Sequence, residues 1–273
     1  MNWYDLLSGL ALLHAIMATV AVTTGVLSRR ERFRQAALGL LIAVCIMQTG
    51  VVAAELARHD LASLPRFVYV NGLAWILAVI SLAAWRSGRF AGMGLICTPF
   101  TLVTMLTALL FGDQTALPRA TGNFFTLHVG CVFLALACMT LSCGAGMLFL
   151  IQERSLKSKA PPTGFYRDLP ALSGLDRLNG LSSLFGFPLY SLGLLFGMVS
   201  ARLAWGTLLS GDPKELISLL IWGLYACLFH QRLAGGWRGR KPALLGIAVF
   251  AAALFSLCVV NTLMPTHHSF LAR

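Results

Sequence analysis

LHVGCVFLALACMTLSCGAGMLFLI, residues 127–151, decides the fold class. It contains no Lys, Arg, Asp or Glu. At 1.5 Å per residue a helix of this length crosses the ~30 Å hydrocarbon core of a bilayer. Seven other stretches read the same way, giving eight spans at about Leu6–Leu27, Ala36–Leu56, Phe67–Trp85, Ala91–Phe111, Leu127–Ile151, Leu184–Leu203, Leu216–Phe229 and Ala243–Leu263. The seventh is short between its charges and is expected to begin earlier, near Lys214. Composition agrees: 58% of residues are hydrophobic and only 11% are charged, against about 25% charged in a soluble domain. The expected fold is therefore all-α, a polytopic membrane helix bundle. A single domain over residues 1–273 is the simplest organisation, since there is no internal repeat or low-complexity tract. No stretch has the layout of a cleavable signal peptide, so the first apolar run is expected to stay as a helix.

Lys and Arg divide unevenly between the two sets of connections. Fifteen fall on one side, including Arg29, Arg30, Arg32, Arg34, Arg154, Lys157, Arg238 and Arg240; six fall on the other. The richer side is expected to be cytoplasmic, which places both termini outside. The net charge of +11 is thus an orientation signal that also suits anionic membrane lipid, and nucleic acid is not an expected partner. Seven cysteines contain no Cys-x-x-Cys pair, which removes support for disulfide, zinc-ribbon and thiol-redox readings. Between spans five and six, leucine recurs at Leu169, Leu172, Leu175, Leu178 and Leu181 with Asp176 and Arg177 between. That spacing predicts a short helix lying on the membrane surface, separate from span six.

The chemistry is expected from histidine. There are only ten carboxylates, and no paired acids within a span, Ser-His-Asp order, glycine-rich phosphate loop or HExxH occurs. Glu55, at the edge of span two, is expected to pair with a nearby Arg. His59 lies on a loop beside Asp60, where a solvated side chain is the ordinary outcome. His128 opens span five, His267 and His268 follow span eight, His14 lies within span one and His230 toward the inner end of span seven. An ionisable group at membrane depth is costly, so these five are functional candidates. Helix-borne imidazoles suit a flat cofactor ligated from both faces. From the residues alone, bis-His haem, quinone handling and ion handling all stay open beside simple hydrogen-bonded packing.

Further motifs bear on that choice. Trp205-Gly206 leads to Asp212-Pro213-Lys214-Glu215, Tyr225 precedes His230 and Arg232, and Gly236-Trp237-Arg238-Gly239-Arg240 follows. Together with the segment that begins at His128, Leu175-Asp176-Arg177-Leu178-Asn179, Gly186-Phe187-Pro188-Leu189 and the ending through His268-Ser269-Phe270, this resembles the CcsA family of cytochrome c assembly proteins and its HemX-like relatives. The resemblance is strongest over residues 128–270. It implies haem b as the cofactor, with His128 and His268 as axial ligands at the outer face and Trp205 and Asp212 as the floor of that site. It also implies His14 and His230 as ligands of a second haem inside the membrane, with His267 as the fallback for His268.

The family's tryptophan signature has two further tryptophans, replaced here by Leu209 and Gly211. That departure leans the reading toward a HemX-like haem-binding or haem-relay protein in the bacterial cytoplasmic (inner) membrane, rather than a complete enzyme. The alternatives are a subunit of a cytochrome c haem lyase, with a CcsB-like partner, and a regulator of glutamyl-tRNA reductase. An oligomer is compatible with all of these. The charge split yields a direct test of sidedness: a topology reporter fused after Arg273 should be active on the extracytoplasmic side, and cytoplasmic activity would reverse the orientation.

Overall fold

A computed structural model describes residues 3–58, 66–88, 90–111, 122–158 and 169–260. The described residues form eight helices: α1 Trp3–Ser28, α2 Glu31–Leu56, α3 Arg66–Arg86, α4 Gly94–Phe111, α5 Gly122–Lys157, α6 Leu172–Trp205, α7 Pro213–Leu233 and α8 Arg240–Phe255. A 3-10 turn at Ala91–Met93 leads into α4, and a π turn at Ser256–Val260 follows α8. All eight are long and apolar enough to cross a membrane once these turns are joined to α4 and α8. Their outward faces carry large apolar residues, such as Ile46, Leu110 and Leu233 at 66–67% exposure, as lipid-facing surfaces should. The chain is a multi-pass helical membrane protein.

It folds as two compact units. The first contains residues 1–59, 67–112 and 148–175, the second residues 60–66, 113–147 and 176–273. In the first unit α1 presents Ala11, Ala15, Ala18 and Val22, one helical face of mostly small residues. That face belongs to a buried cluster with Ala37, Leu41 and Val44 of α2, Ala74 and Ala78 of α3, and Met105 of α4. Small side chains let apolar helices approach closely where lipid supplies little hydrophobic driving force. Hydroxyls in this unit bond back along their own helices: Thr98 Oγ1 donates to Gly94 O at 2.7 Å, and Thr101 Oγ1 to Cys97 O at 2.8 Å. Arg58 Nη1 lies 3.6 Å from Glu55 Oε1, the pairing expected for that acid.

In the second unit, α6 turns glycines toward α5. A Cβ at Gly193 would lie 2.7 Å from Val132 Cγ2, and one at Gly197 2.6 Å from His128 Nδ1. At Gly186 it would strike the Tyr225 hydroxyl and come 2.7 Å from the Cys138 Cβ. The absence of side chains at these positions sets the α5–α6 distance. Tyr225 is fully buried, and its hydroxyl donates to Ser182 O at 3.2 Å.

The leucine-rich stretch before span six is not a separate surface helix. It is the first part of α6, which runs unbroken from Leu172 to Trp205. Its polar residues explain the difference. Asn179 is 1% exposed and donates from Nδ2 to both the Ser142 carbonyl and Ser142 Oγ at 2.9 Å. Arg232 of α7 lies 3.0 Å from Asp176 Oδ1, donates to the Asp176 carbonyl at 3.0 Å and also bonds Asn179 Oδ1. Gly239 N–H donates to Asp176 Oδ1 at 2.8 Å, from a backbone at φ 74°, which favours glycine. Side chains that spacing alone would aim at water, Asp176 and Asn179, find partners inside.

The glycine seam gives a stability prediction. Gly186→Ala should lower the melting temperature of the detergent-solubilised protein, at about 1–3 kcal/mol for overpacking. A Cβ at Gly223 meets nothing within 4 Å, so Gly223→Ala should be neutral or slightly stabilising. Equal melting temperatures for the two variants would show that the seam is not tight.

Candidate haem-handling site

His128 stands one and a half turns into α5. Its ring fills the gap left by Gly197 of α6, and Nδ1 is 2.7 Å from the Gly193 carbonyl oxygen. A carbonyl only accepts, so Nδ1 carries the proton. In the neutral ring the lone pair is then on Nε2, which has no hydrogen-bond partner among the described residues. Metal-bound histidines are oriented in this way, with one nitrogen donating to a carbonyl and the other left for the metal. The ring is half-buried. Phe125 lies 6.2 Å away between centroids, and Phe124 stacks obliquely on Phe196 at 6.3 Å. An apolar, partly open setting around an unprotonated ring nitrogen fits the face and iron of a haem.

The loop between α6 and α7 is built around Asp212-Pro213-Lys214-Glu215. Asp212 is buried and is the N-cap of α7, with Oδ1 accepting from the Lys214 N–H at 2.7 Å. Pro213 occupies the first helical position, where its missing N–H costs nothing. Glu215 reaches back, accepting from Ser210 N–H at 2.7 Å and Gly211 N–H at 3.1 Å. This is a capping box extended by a residue or two. The motif is thus in part a device for starting α7 at a fixed point. Gly211, where the family signature has tryptophan, adopts φ 77°. A side chain there would be strained, so this backbone suits glycine. Leu208 and Leu209 are about half exposed, and they keep the loop apolar without an aromatic ring.

Lys214 also belongs to this end of the unit. Its Nζ donates to Ser256 O at 3.3 Å, in the π turn after α8, and about one turn on in α7 the Ser218 carbonyl accepts from Tyr190 Oη of α6 at 3.3 Å. Parts of α5, α6, α7 and the end of α8 therefore meet here. The Trp205 side chain, His59, His267 and His268 lie outside the described residues. His14 belongs to the first unit and His230 to the second. His14 has its Nδ1 2.8 Å from the Leu10 carbonyl, again leaving Nε2 as the free nitrogen, and His230 is exposed in the last turn of α7. Sequence reasoning did not identify the Asp176–Asn179–Arg232 network as one unit. Its signal was available: an acid, an amide and a guanidinium at the edges of apolar runs each need an internal partner.

Eight membrane helices define a multi-pass membrane protein, and one end of its second unit carries both the oriented His128 imidazole and the capped loop. The model of the cytochrome c assembly protein family matches residues 3–268, and the chain belongs to that family. It is 28% identical to the cytochrome c biogenesis protein CcsA of Prochlorococcus marinus (strain MIT 9312), over 98% of this chain and 95% of that one. The CcsA of strain AS9601 is 31% identical over 72% of each chain, and that of Crocosphaera subtropica is 29% identical over 72% of this chain and 76% of its own. The fold is also that of a solved structure, cytochrome c haem lyase CcmF, with a TM-score of 0.65 at 13% identity. That match covers 97% of this chain and 47% of that one, so the chain spans about half its length.

The cap can be separated from any ligand role of Asp212. Asparagine is as good an N-cap as aspartate, whereas alanine costs about 0.5–2 kcal/mol. Asp212→Ala should lower the melting temperature and Asp212→Asn should leave it near wild type. A loss in both variants would make the carboxylate charge, and not the cap, the essential feature.

Proposed function

We propose that this chain holds haem b at the end of its second unit that carries His128, and presents it during cytochrome c assembly as a membrane subunit of a haem-attachment machinery. His128 and His268 are the axial ligands in this reading, with Trp205 and the Asp212 loop as the floor. The observation that carries it is the hydrogen bond from His128 Nδ1 to the Gly193 carbonyl, which leaves Nε2 as the ligating nitrogen. The names of its relatives supply the context: cytochrome c biogenesis for CcsA, haem attachment for the lyase whose fold it shares. Haem supplies the iron that the imidazoles ligate and the porphyrin edge to which a cytochrome is joined. The chain's own residues seat and orient it: α6 fixes the tautomer of His128, and the capped loop sets where α7 begins.

His14, with its hydrogen-bonded Nδ1, and His230 are each a candidate haem ligand within the membrane, taken separately in their own units. A CcsB-like subunit is the partner this role calls for, and the bacterial cytoplasmic membrane is its place. Closeness to HemX rests on Leu209 and Gly211 alone. The relatives described above are named CcsA, and exposed Leu208 and Leu209 retain an apolar loop. Both favour haem attachment over control of glutamyl-tRNA reductase.

The purified protein should give a low-spin, six-coordinate spectrum and a b-type pyridine haemochrome. His128→Ala and His268→Ala should each change that spectrum and lower haem occupancy, with added imidazole restoring the wild-type form, while His267→Ala should do little. A spectrum indifferent to both His128 and His268 would remove the site.

A further inference from the structure

Lys214 has a role that helix capping does not explain. Its backbone N–H serves the cap, but its side chain leaves the helix and runs to the end of α8. Among the described residues, the hydrogen bond of its ammonium goes to a neutral acceptor, the Ser256 carbonyl, at 3.3 Å. Asp212 offsets part of the charge, yet Oδ1 of that carboxylate is committed to the backbone of Lys214. The side chain is half-buried at the edge of an apolar span. A cation in that setting is costly unless it meets an anion. The start of α7 lies against α6 near the His128 contact: Tyr190 Oη, about one turn before Gly193, donates to Ser218 O at 3.3 Å, and Ser218 is about one turn after Lys214. An anionic ligand seated on His128 would therefore bring its negative charge within reach of the one ammonium group described at this end of the unit.

Haem has two carboxylates on the edge of an otherwise apolar disc. We propose that Lys214 receives one of them, so that it selects the free-acid porphyrin and fixes the disc's rotation about the His128–iron axis. This assignment rests on the haem site proposed above. The imidazole sets where the iron lies and leaves rotation about its axis free. A charge-assisted bond from a second helix, α7, removes that freedom. A Lys ammonium serves as a compact point charge with three donors, so it can hold the Ser256 carbonyl and a carboxylate together.

The test uses the full-length protein in detergent, titrated with haem and with haem dimethyl ester, whose carboxylates are blocked, each followed by absorption. Wild type should bind the free acid about tenfold more tightly than the ester, the order expected for one charge-assisted hydrogen bond. Lys214→Met should reduce free-acid binding to the level of the ester and leave ester binding unchanged. Lys214→Gln keeps a donor for Ser256 and should behave the same way, which covers the case in which the methionine variant does not fold. Lys214→Arg should retain the preference. His128→Ala should weaken both ligands in parallel and alter the spectrum. Equal binding of acid and ester by wild type, beside a His128-dependent spectrum, overturns the Lys214 assignment alone. So does a Lys214→Met or Lys214→Gln variant that weakens both ligands equally. A spectrum unchanged in His128→Ala overturns the haem site, and this assignment with it.

Discussion

The close approach of α5 to α6 is the constraint on which the second unit depends. Three glycines, Gly186, Gly193 and Gly197, remove the side chains that would otherwise hold the helices apart. The consequence is chemical as well as mechanical. A backbone carbonyl inside a helix is normally engaged by its own ladder, but it keeps a second lone pair. At this separation the Gly193 carbonyl can reach a ring nitrogen on the neighbouring helix. A side chain at 197 would push the imidazole away, and one at 193 would press on Val132 and part the two helices, so either would leave the tautomer undetermined. Packing and ligand orientation are thus set by the same absent atoms.

Much of this was legible in the sequence. Apolar runs of spanning length give the eight helices, because in lipid the backbone must satisfy itself and helix is the available answer. The start of α7 near Lys214 was readable for the same reason, from a Pro followed by an acid in a first turn. The leucine stretch at 169–181 misled in a specific way. Period-three leucines with Asp176, Arg177 and Asn179 between them look like a helix half in water. Whether a polar residue faces water or a partner is not encoded in its own helix. It depends on Ser142 and Arg232, which lie 37 and 53 residues from Asn179 in the chain.

The site was legible in its residue types more than in their roles. His128 could be named because an imidazole at the head of an apolar span has few other reasons to be there. Its tautomer could not, since that is decided by a carbonyl 65 residues away. The resemblance offered Asp212 only as part of the floor of the outer site. Its bond to the Lys214 N–H adds the capping of α7. The two substituted tryptophan positions invited a reading based on lost aromatic surface. The backbone at Gly211, at φ 77°, favours glycine over any larger residue, and the neighbouring Leu208 and Leu209 keep the loop's exposed side apolar.

The polar groups of the second unit fall into two kinds, and the distinction separates structure from function. Arg232, Asp176, Asn179 and Ser142 bond one another, and Tyr225 and Tyr190 each reach a backbone carbonyl. Such groups bond one another or a backbone carbonyl and hold helices in register, which is sufficient reason for their presence. At the other end of the helices the accounts do not close in this way. The imidazole of His128 uses one nitrogen and leaves the other, and the Lys214 ammonium meets a neutral carbonyl where an anion would serve better. A membrane protein bears the cost of an incompletely satisfied imidazole beside an incompletely satisfied cation only if something else completes them. One has a nitrogen lone pair without an acceptor, and the other a charge that Asp212 offsets only in part. In the function proposed above, a single ligand with a metal at its centre and carboxylates at its rim meets both.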